Sequence, residues 1–422
     1  MKKWLVIVLV CVAAVAWAQE DEEGGTIKVT GEVKSGINFT KVGENDFGVR
    51  PYSDDADKNF HTQVQVDYTR GSSGASVRLV ADELSTLGST TVSYFSPLSH
   101  AYGWIGLFDD KFEFSGGILD NNKWGTLTSF NLDTSMDNAN GLKLEFKLIE
   151  GLSFGVNVLN AQPGTSLTVK ESFKPIVFGG KYTTEQFGIA AEFVTASMGY
   201  TFWGNKWDKG PNQVSTGSGT PSLFKIENNL TQTTFGALFS GFYYGVENLT
   251  LEMDGSFAMW SEGDVVLPGT GGIQTVDQPE ASIFGLSAQG LYTINDLVTA
   301  GLKIDFSRFG TKYQDDDTSA MSVVFIPKAA FTLNPTVGLG LEATVGLIDM
   351  LSMEGFDDWN SGLEIAVKPS ATFTFSKGFK AVLFYKLDNV THGYTDSEAA
   401  SNPKLKDSLT THTIQLDMIW AF

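Results

Sequence analysis

The sequence predicts an all-β fold: a closed antiparallel transmembrane β-barrel of about eighteen strands, with sixteen as the fallback count. Three observations carry this. In the last segment, Ile414, Leu416, Met418, Trp420 and Phe422 alternate with Thr413, Gln415, Asp417, Ile419 and Ala421, so one face is apolar and ends in an aromatic pair. Nearly every segment after Thr26 alternates with the same period of two, and almost none shows helical spacing. The links between segments are short and long by turns, which separates them onto two ends of one sheet.

The elements follow in chain order. Met1-Lys2-Lys3 is a basic start, residues 4–15 are apolar, and Ala16-Trp17-Ala18 gives a small-x-small cleavage site, so residues 1–18 read as a secretory signal peptide. The single cysteine, Cys11, falls inside it, which leaves the exported chain without disulfide, thiol nucleophile or cysteine-based metal site. Losing the two leader lysines takes the formal charge from −20 to −22, which argues against nucleic acid as a partner. A short lead, 19–25, precedes a single barrel domain at 26–422.

Within that domain the period of two marks strands at 26–41, 59–69, 75–82, 100–108, 111–120 and 141–149. It continues at 152–160, 175–183, 187–202, 233–246, 249–261 and 281–294, and then at 297–310, 320–333, 336–348, 361–376, 379–388 and 408–422. The short links are turn formers such as Glu150-Gly151, Glu247-Asn248, Asn295-Asp296, Asn334-Pro335 and Lys377-Gly378. The long ones include 43–58, 83–99, 121–140, 161–174, 204–232, 262–280, 311–319, 349–360 and 389–407. Short turns on the periplasmic side and long loops outside are the asymmetry of an outer-membrane barrel.

Parity within the strands assigns the faces. Leu142, Leu144, Phe146 and Leu148 interleave with Lys143, Glu145 and Lys147, and Val298, Ala300, Leu302 and Ile304 interleave with Lys303 and Asp305. In so large a barrel the charges line a wet lumen and the apolar face meets lipid. Aromatics near strand ends, among them Tyr102, Trp104, Tyr385, Trp420 and Phe422, are expected in interface girdles.

Stretches such as 101–120 (AYGWIGLFDDKFEFSGGILD) and 141–160 (GLKLEFKLIEGLSFGVNVLN) resemble hairpins of bacterial porins. With the terminal Phe422 and the leader, the chain resembles a porin-like outer-membrane protein over its whole exported length. The resemblance implies a barrel of sixteen or eighteen strands, often trimeric, with a loop folded inward to narrow the pore.

Function follows from the wall. A barrel this wide encloses water, and inward acids and bases nearly cancel, so the expected role is passive diffusion of small hydrophilic solutes and ions with a mild cation preference. The pore-lining and constriction candidates are Asp133 and Asp137 on the link 121–140, which could face Arg78, Lys143 or Lys147 across the lumen, and Glu145 on the wall. Trp420 and Phe422 form the expected signal for the barrel-assembly machinery. The expected partners are outer-membrane lipid and the permeating solutes, with a homotrimer as the possible assembly. Acidic runs at Asp54-Asp55, Asp57 and 315–317 read as solvated loops; calcium is weighed and set aside for want of spaced ligands and the glycine they need. No metal or other cofactor is expected.

An enzyme is the first rival class. His61, His100, His392 and His412 are scattered and no serine elbow or metal-spaced histidine pair is present, so no catalysis is expected. The alternative function is a surface adhesin or structural barrel that binds through its long acidic loops.

Overall fold

The computed structural model describes residues 25–43, 48–52, 58–84, 93–94, 100–119, 124, 127, 139–160, 176–196, 234–260, 263–269, 272–278, 280–313, 316–353, 362–391 and 409–422. Their regular structure is entirely β. In chain order the strands are β1 (Thr26–Val42), β2 (Gly48–Tyr52), β3 (Lys58–Arg70), β4 (Ser73–Leu84), β5 (Ser93–Tyr94), β6 (His100–Leu107), β7 (Phe112–Leu119) and β8 (Ala139–Ile149). Next come β9 (Leu152–Asn160), β10 (Ile176–Thr183), β11 (Phe187–Ala196), β12 (Thr234–Val246), β13 (Leu249–Trp260), β14 (Gly263–Gly269) and β15 (Gly272–Gln278). The chain finishes with β16 (Ala281–Asn295), β17 (Val298–Tyr313), β18 (Asp316–Asn334), β19 (Val337–Met353), β20 (Gly362–Ser376), β21 (Phe379–Thr391) and β22 (Leu409–Ala421).

Twenty strands share one sheet. Two of them are additions: β2 pairs along the upper half of β1, and β5 touches the end of β4. The other eighteen described strands pair antiparallel, neighbour to neighbour, and β22 closes on β1 from Glu32↔Ala421 to Val42↔Thr411. The expected eighteen-stranded closed barrel is what the chain forms. β14 and β15 make a separate hairpin within the link 262–280.

The barrel is inside-out relative to a soluble protein. Leu142, Phe178, Leu341 and Trp420 are among many large apolar side chains left exposed on its outside. The buried groups include Lys143, Glu145, Glu192, Asp254 and Glu364, all on the inner face. This is the burial expected where lipid is the outer solvent and each backbone N–H and C=O is satisfied by a neighbouring strand.

Tight turns close the hairpins at one end. Asn248 and Gly151 take the left-handed conformation (φ 64° and 77°) that two-residue hairpin loops need, which Asn and Gly reach at least cost. The link after β6 is broader than the aspartate pair suggests: Phe108, Asp109 and Asp110 all have positive φ. The link expected at 311–319 is mostly strand, because β17 and β18 extend as a hairpin to Tyr313↔Asp316.

Candidate functional site

Register carries the inner face around the wall. Gly74 of β4 lies opposite Trp104 of β6, then Ser115 of β7, Lys143 of β8 and Asn157 of β9. Tyr102, opposite Ser76, shares that face. Tyr102 and Trp104 therefore stand in the lumen and not in a lipid girdle; Ile105 and Leu107, exposed, take the outer positions. Trp420 and Phe422 do face outward, with rings 6.0 Å apart.

On β7 and β8 the charges form a chain. Lys143 Nζ lies 2.9 Å from Glu145 Oε2 and 3.5 Å from Glu113 Oε1, and Lys147 Nζ lies 2.6 Å from Glu113 Oε2. Ser115 Oγ donates to Glu113 at 3.0 Å. Lys143 and Glu145 are sealed from the lumen, with side chains 5% and 1% exposed, while Lys147 at 38% reaches its water.

Trp124 makes the seal. This residue of the link 121–140 is buried against the inner wall, its backbone N–H donating to Glu192 Oε1 at 3.3 Å and its ring 5.5 Å from Lys143 Nζ. Two inward glycines make the seat: a Cβ on Gly179 would come within 2.6 Å of the ring, and one on Gly155 within 2.8 Å. Three residues on, the Leu127 N–H donates to Ser240 Oγ at 2.8 Å, and that hydroxyl donates to Asp254 at 2.5 Å. The described part of this link thus folds inward and narrows the lumen over β8–β13. A buried ring of this size contributes on the order of 4 kcal/mol through apolar burial.

Asp133 and Asp137 lie outside the described residues, as do the leader and the side chain of His61. Arg78 lies opposite His100, four residues along β4 from Gly74, so it stands roughly 13 Å from the Lys143 row.

The opposite wall repeats short paired charges. Lys303 meets Asp305 at 2.8 Å, Lys386 meets Asp388 at 2.5 Å, and Lys34 meets Glu32 at 3.2 Å. All are two residues apart on one strand, the spacing that puts both on the lumen face. Lys368 sits 4.5 Å above the Phe384 ring. Close partners spare each charge an uncompensated desolvation.

One cluster was hidden in the sequence. Ser76 Oγ donates to Asp67 at 2.6 Å and lies 2.9 Å from His100 Nε2. The order is carboxylate–hydroxyl–imidazole, so Asp67 binds the serine directly and does not orient the histidine as a nucleophile's base requires. Ser76 and His100 are also 1% and 2% exposed, which keeps a substrate from the hydroxyl. The cluster ties β3, β4 and β6 together. His412 lies on the outer face, bonded through Nδ1 to the Tyr385 hydroxyl at 2.8 Å.

No protein-family model and no characterised protein of similar sequence matches the chain. Solved structures with a similar course include the outer-membrane channel DcaP of Acinetobacter baumannii, at 11% identity over 95% of this chain and 99% of that one, TM-score 0.48. An anion-selective porin from Comamonas acidovorans follows at 9% identity, over 94% and 100%, TM-score 0.46. The trimer form of OmpT, an outer-membrane protein of Vibrio cholerae, stands at 9%, 94% and 100%, TM-score 0.47. The chain's own geometry carries the assignment. A closed antiparallel barrel with an apolar, exposed outer belt and a charged inner wall is the architecture of bacterial outer-membrane proteins, and this chain folds as an outer-membrane β-barrel.

Proposed function

We propose that the barrel is a water-filled channel for passive diffusion of small hydrophilic solutes and ions, with a mild preference for cations. The observation that carries this is the inner wall: eighteen strands enclose a width that side chains do not fill, and that width is lined with paired charges. Trp124 and Leu127 support the reading, because both lie against the inner wall and reduce the bore on that side. Beneath it Glu113, Glu145, Glu192, Glu252 and Asp254 outnumber Lys143, Lys147 and Lys181, so the narrowed side is acidic. An acidic side facing a wall of paired charges favours polar over apolar solutes, and the excess negative charge of the chain favours cations at the mouths.

Single-channel conductance and reversal potential in a planar bilayer under a salt gradient test the proposal. Stable open channels with a small cation-directed reversal potential are expected. Absence of conductance would move the function to surface binding, and strong anion selectivity would keep the pore but discard this electrostatic account. Assembly as a homotrimer belongs to the same proposal, and its signature is closure in three equal steps.

A further inference from the structure

Lys41 of β1 and His412 of β22 lie directly opposite each other in the register that closes the barrel. Both share the parity of Phe39 and Ile414, the next pair down, which stand exposed on the outer belt. On its other edge His412 is opposite Leu387, and Tyr385 on the same face of β21 meets its Nδ1 through the hydroxyl at 2.8 Å. When that hydroxyl donates to Nδ1, the ring proton sits on Nε2, which becomes a donor for an outside partner. Lys41 adds an ammonium with three donors. Among the described residues, the outward positions of β1, β21 and β22 carry no carboxylate to neutralise the pair.

The height of the pair says what it meets. His412 is eight residues up the strand from Trp420, about 27 Å along the chain and about 20 Å upright at a tilt of about 40°. Ile414, Leu416 and Met418 fill the outward positions between them and are exposed. The apolar band of an outer-membrane barrel is about 25 Å tall. With Trp420 and Phe422 at one interface, Lys41 and His412 therefore reach the other, at the end that carries the long links. Headgroups of the outer leaflet lie at that level. Once His412 is protonated, two like charges face each other and repel unless an anion stands between them. A lipid phosphate offers acceptor oxygens to both groups while its acyl chains run down over Phe39, Ile414 and Leu416. We propose that Lys41 and His412, with Tyr385 positioning the imidazole, seat the phosphate of an anionic lipid of the outer leaflet on the seam between the last strand and the first. The site lies outside the lumen and is independent of conduction.

The test is native mass spectrometry of the barrel in non-ionic detergent, titrated with phosphatidylglycerol or with phosphatidylcholine of the same acyl chains. Phosphatidylglycerol is expected to fill a first site several-fold more tightly than the net-neutral lipid. Lys41→Ala should weaken that binding roughly fivefold, the effect of one basic group near an anionic lipid surface. Lys41→Arg should restore it, and His412→Ala should weaken it in the same direction. Arg308, exposed and outward on β17 between Phe284 and Met321, is the control for unspecific attraction, and Arg308→Ala should leave the first site unchanged. The unboiled gel band checks that each variant is folded. Equal affinity for both lipids, binding unchanged in Lys41→Ala and His412→Ala, or an equal loss in Arg308→Ala would overturn the proposal. So would displacement of the lipid by inorganic phosphate at equal concentration, which marks a site for the free ion.

Discussion

Lys143 shows how much one side chain organises. Its ammonium stands between Glu113 and Glu145 and beside the Trp124 ring. Lys143→Met would take from Glu145, 1% exposed, the ammonium that stands 2.9 Å from its carboxylate. The expected cost is about 3–5 kcal/mol, read as a lower temperature at which the unboiled gel band converts to the boiled one. Trp124→Ala acts differently, because it removes the anchor of the inward segment and leaves the wall paired. Single-channel conductance should rise, and Gly179→Val should act in the same direction by forcing the ring off its seat. Unchanged conductance in both variants would show that the segment does not limit flow. The seat of Trp124 was not legible in the sequence, since Gly155 and Gly179 lie on strands remote from it and its link has no periodicity. The girdle expectation for Tyr102 and Trp104 fails, because the small neighbours Ala101 and Gly103 mark the parity of this strand weakly and nearness to a strand end favours a girdle.

Among the elements, the last strand carries a consequence for assembly. Phe422 exchanges both backbone hydrogen bonds with Gly31, at 2.8 and 3.0 Å, and its ring covers that glycine on the outer face. Closure of the barrel therefore ends on a bare patch of β1 shaped for an aromatic. Deleting Phe422, or replacing Trp420 and Phe422 by serine, should sharply reduce the folded barrel recovered in outer membranes. Normal surface levels of either variant would refute the role of this end in recognition by the assembly machinery. Strand positions were readable to within a few residues wherever one face is apolar and the other charged. The extended β17–β18 hairpin was not, because residues 311–319 are polar at nearly every position and the period of two vanishes from the pattern. β2 and β14–β15, which form inside links, were not readable either.

For the whole molecule, the proposed channel would take its ion preference from charge. Acidic residues exceed basic ones by twenty in the full chain, while the inner wall is close to balanced, so much of the surplus lies away from the wall. Exposed charge is screened over about 8 Å at physiological ionic strength and about 3 Å at 1 M salt. The cation-to-anion permeability ratio should accordingly fall toward unity as salt is raised from 0.1 to 1 M. A ratio independent of salt would place the selectivity at the paired charges of the wall instead of at the mouths.

The alternation that builds the wall also governs how the chain travels. Its mean hydropathy is only −0.04, and beyond residue 18 the apolar residues are largely dispersed one position in two. Beyond residue 18 no stretch of the sequence is apolar enough for long enough to lodge as a helix in a bilayer. The adhesive surface comes into being only when neighbouring strands line up their alternate side chains. Pairing and insertion must then coincide, and dilution from urea should yield native barrel with micelles or vesicles present and precipitate without them.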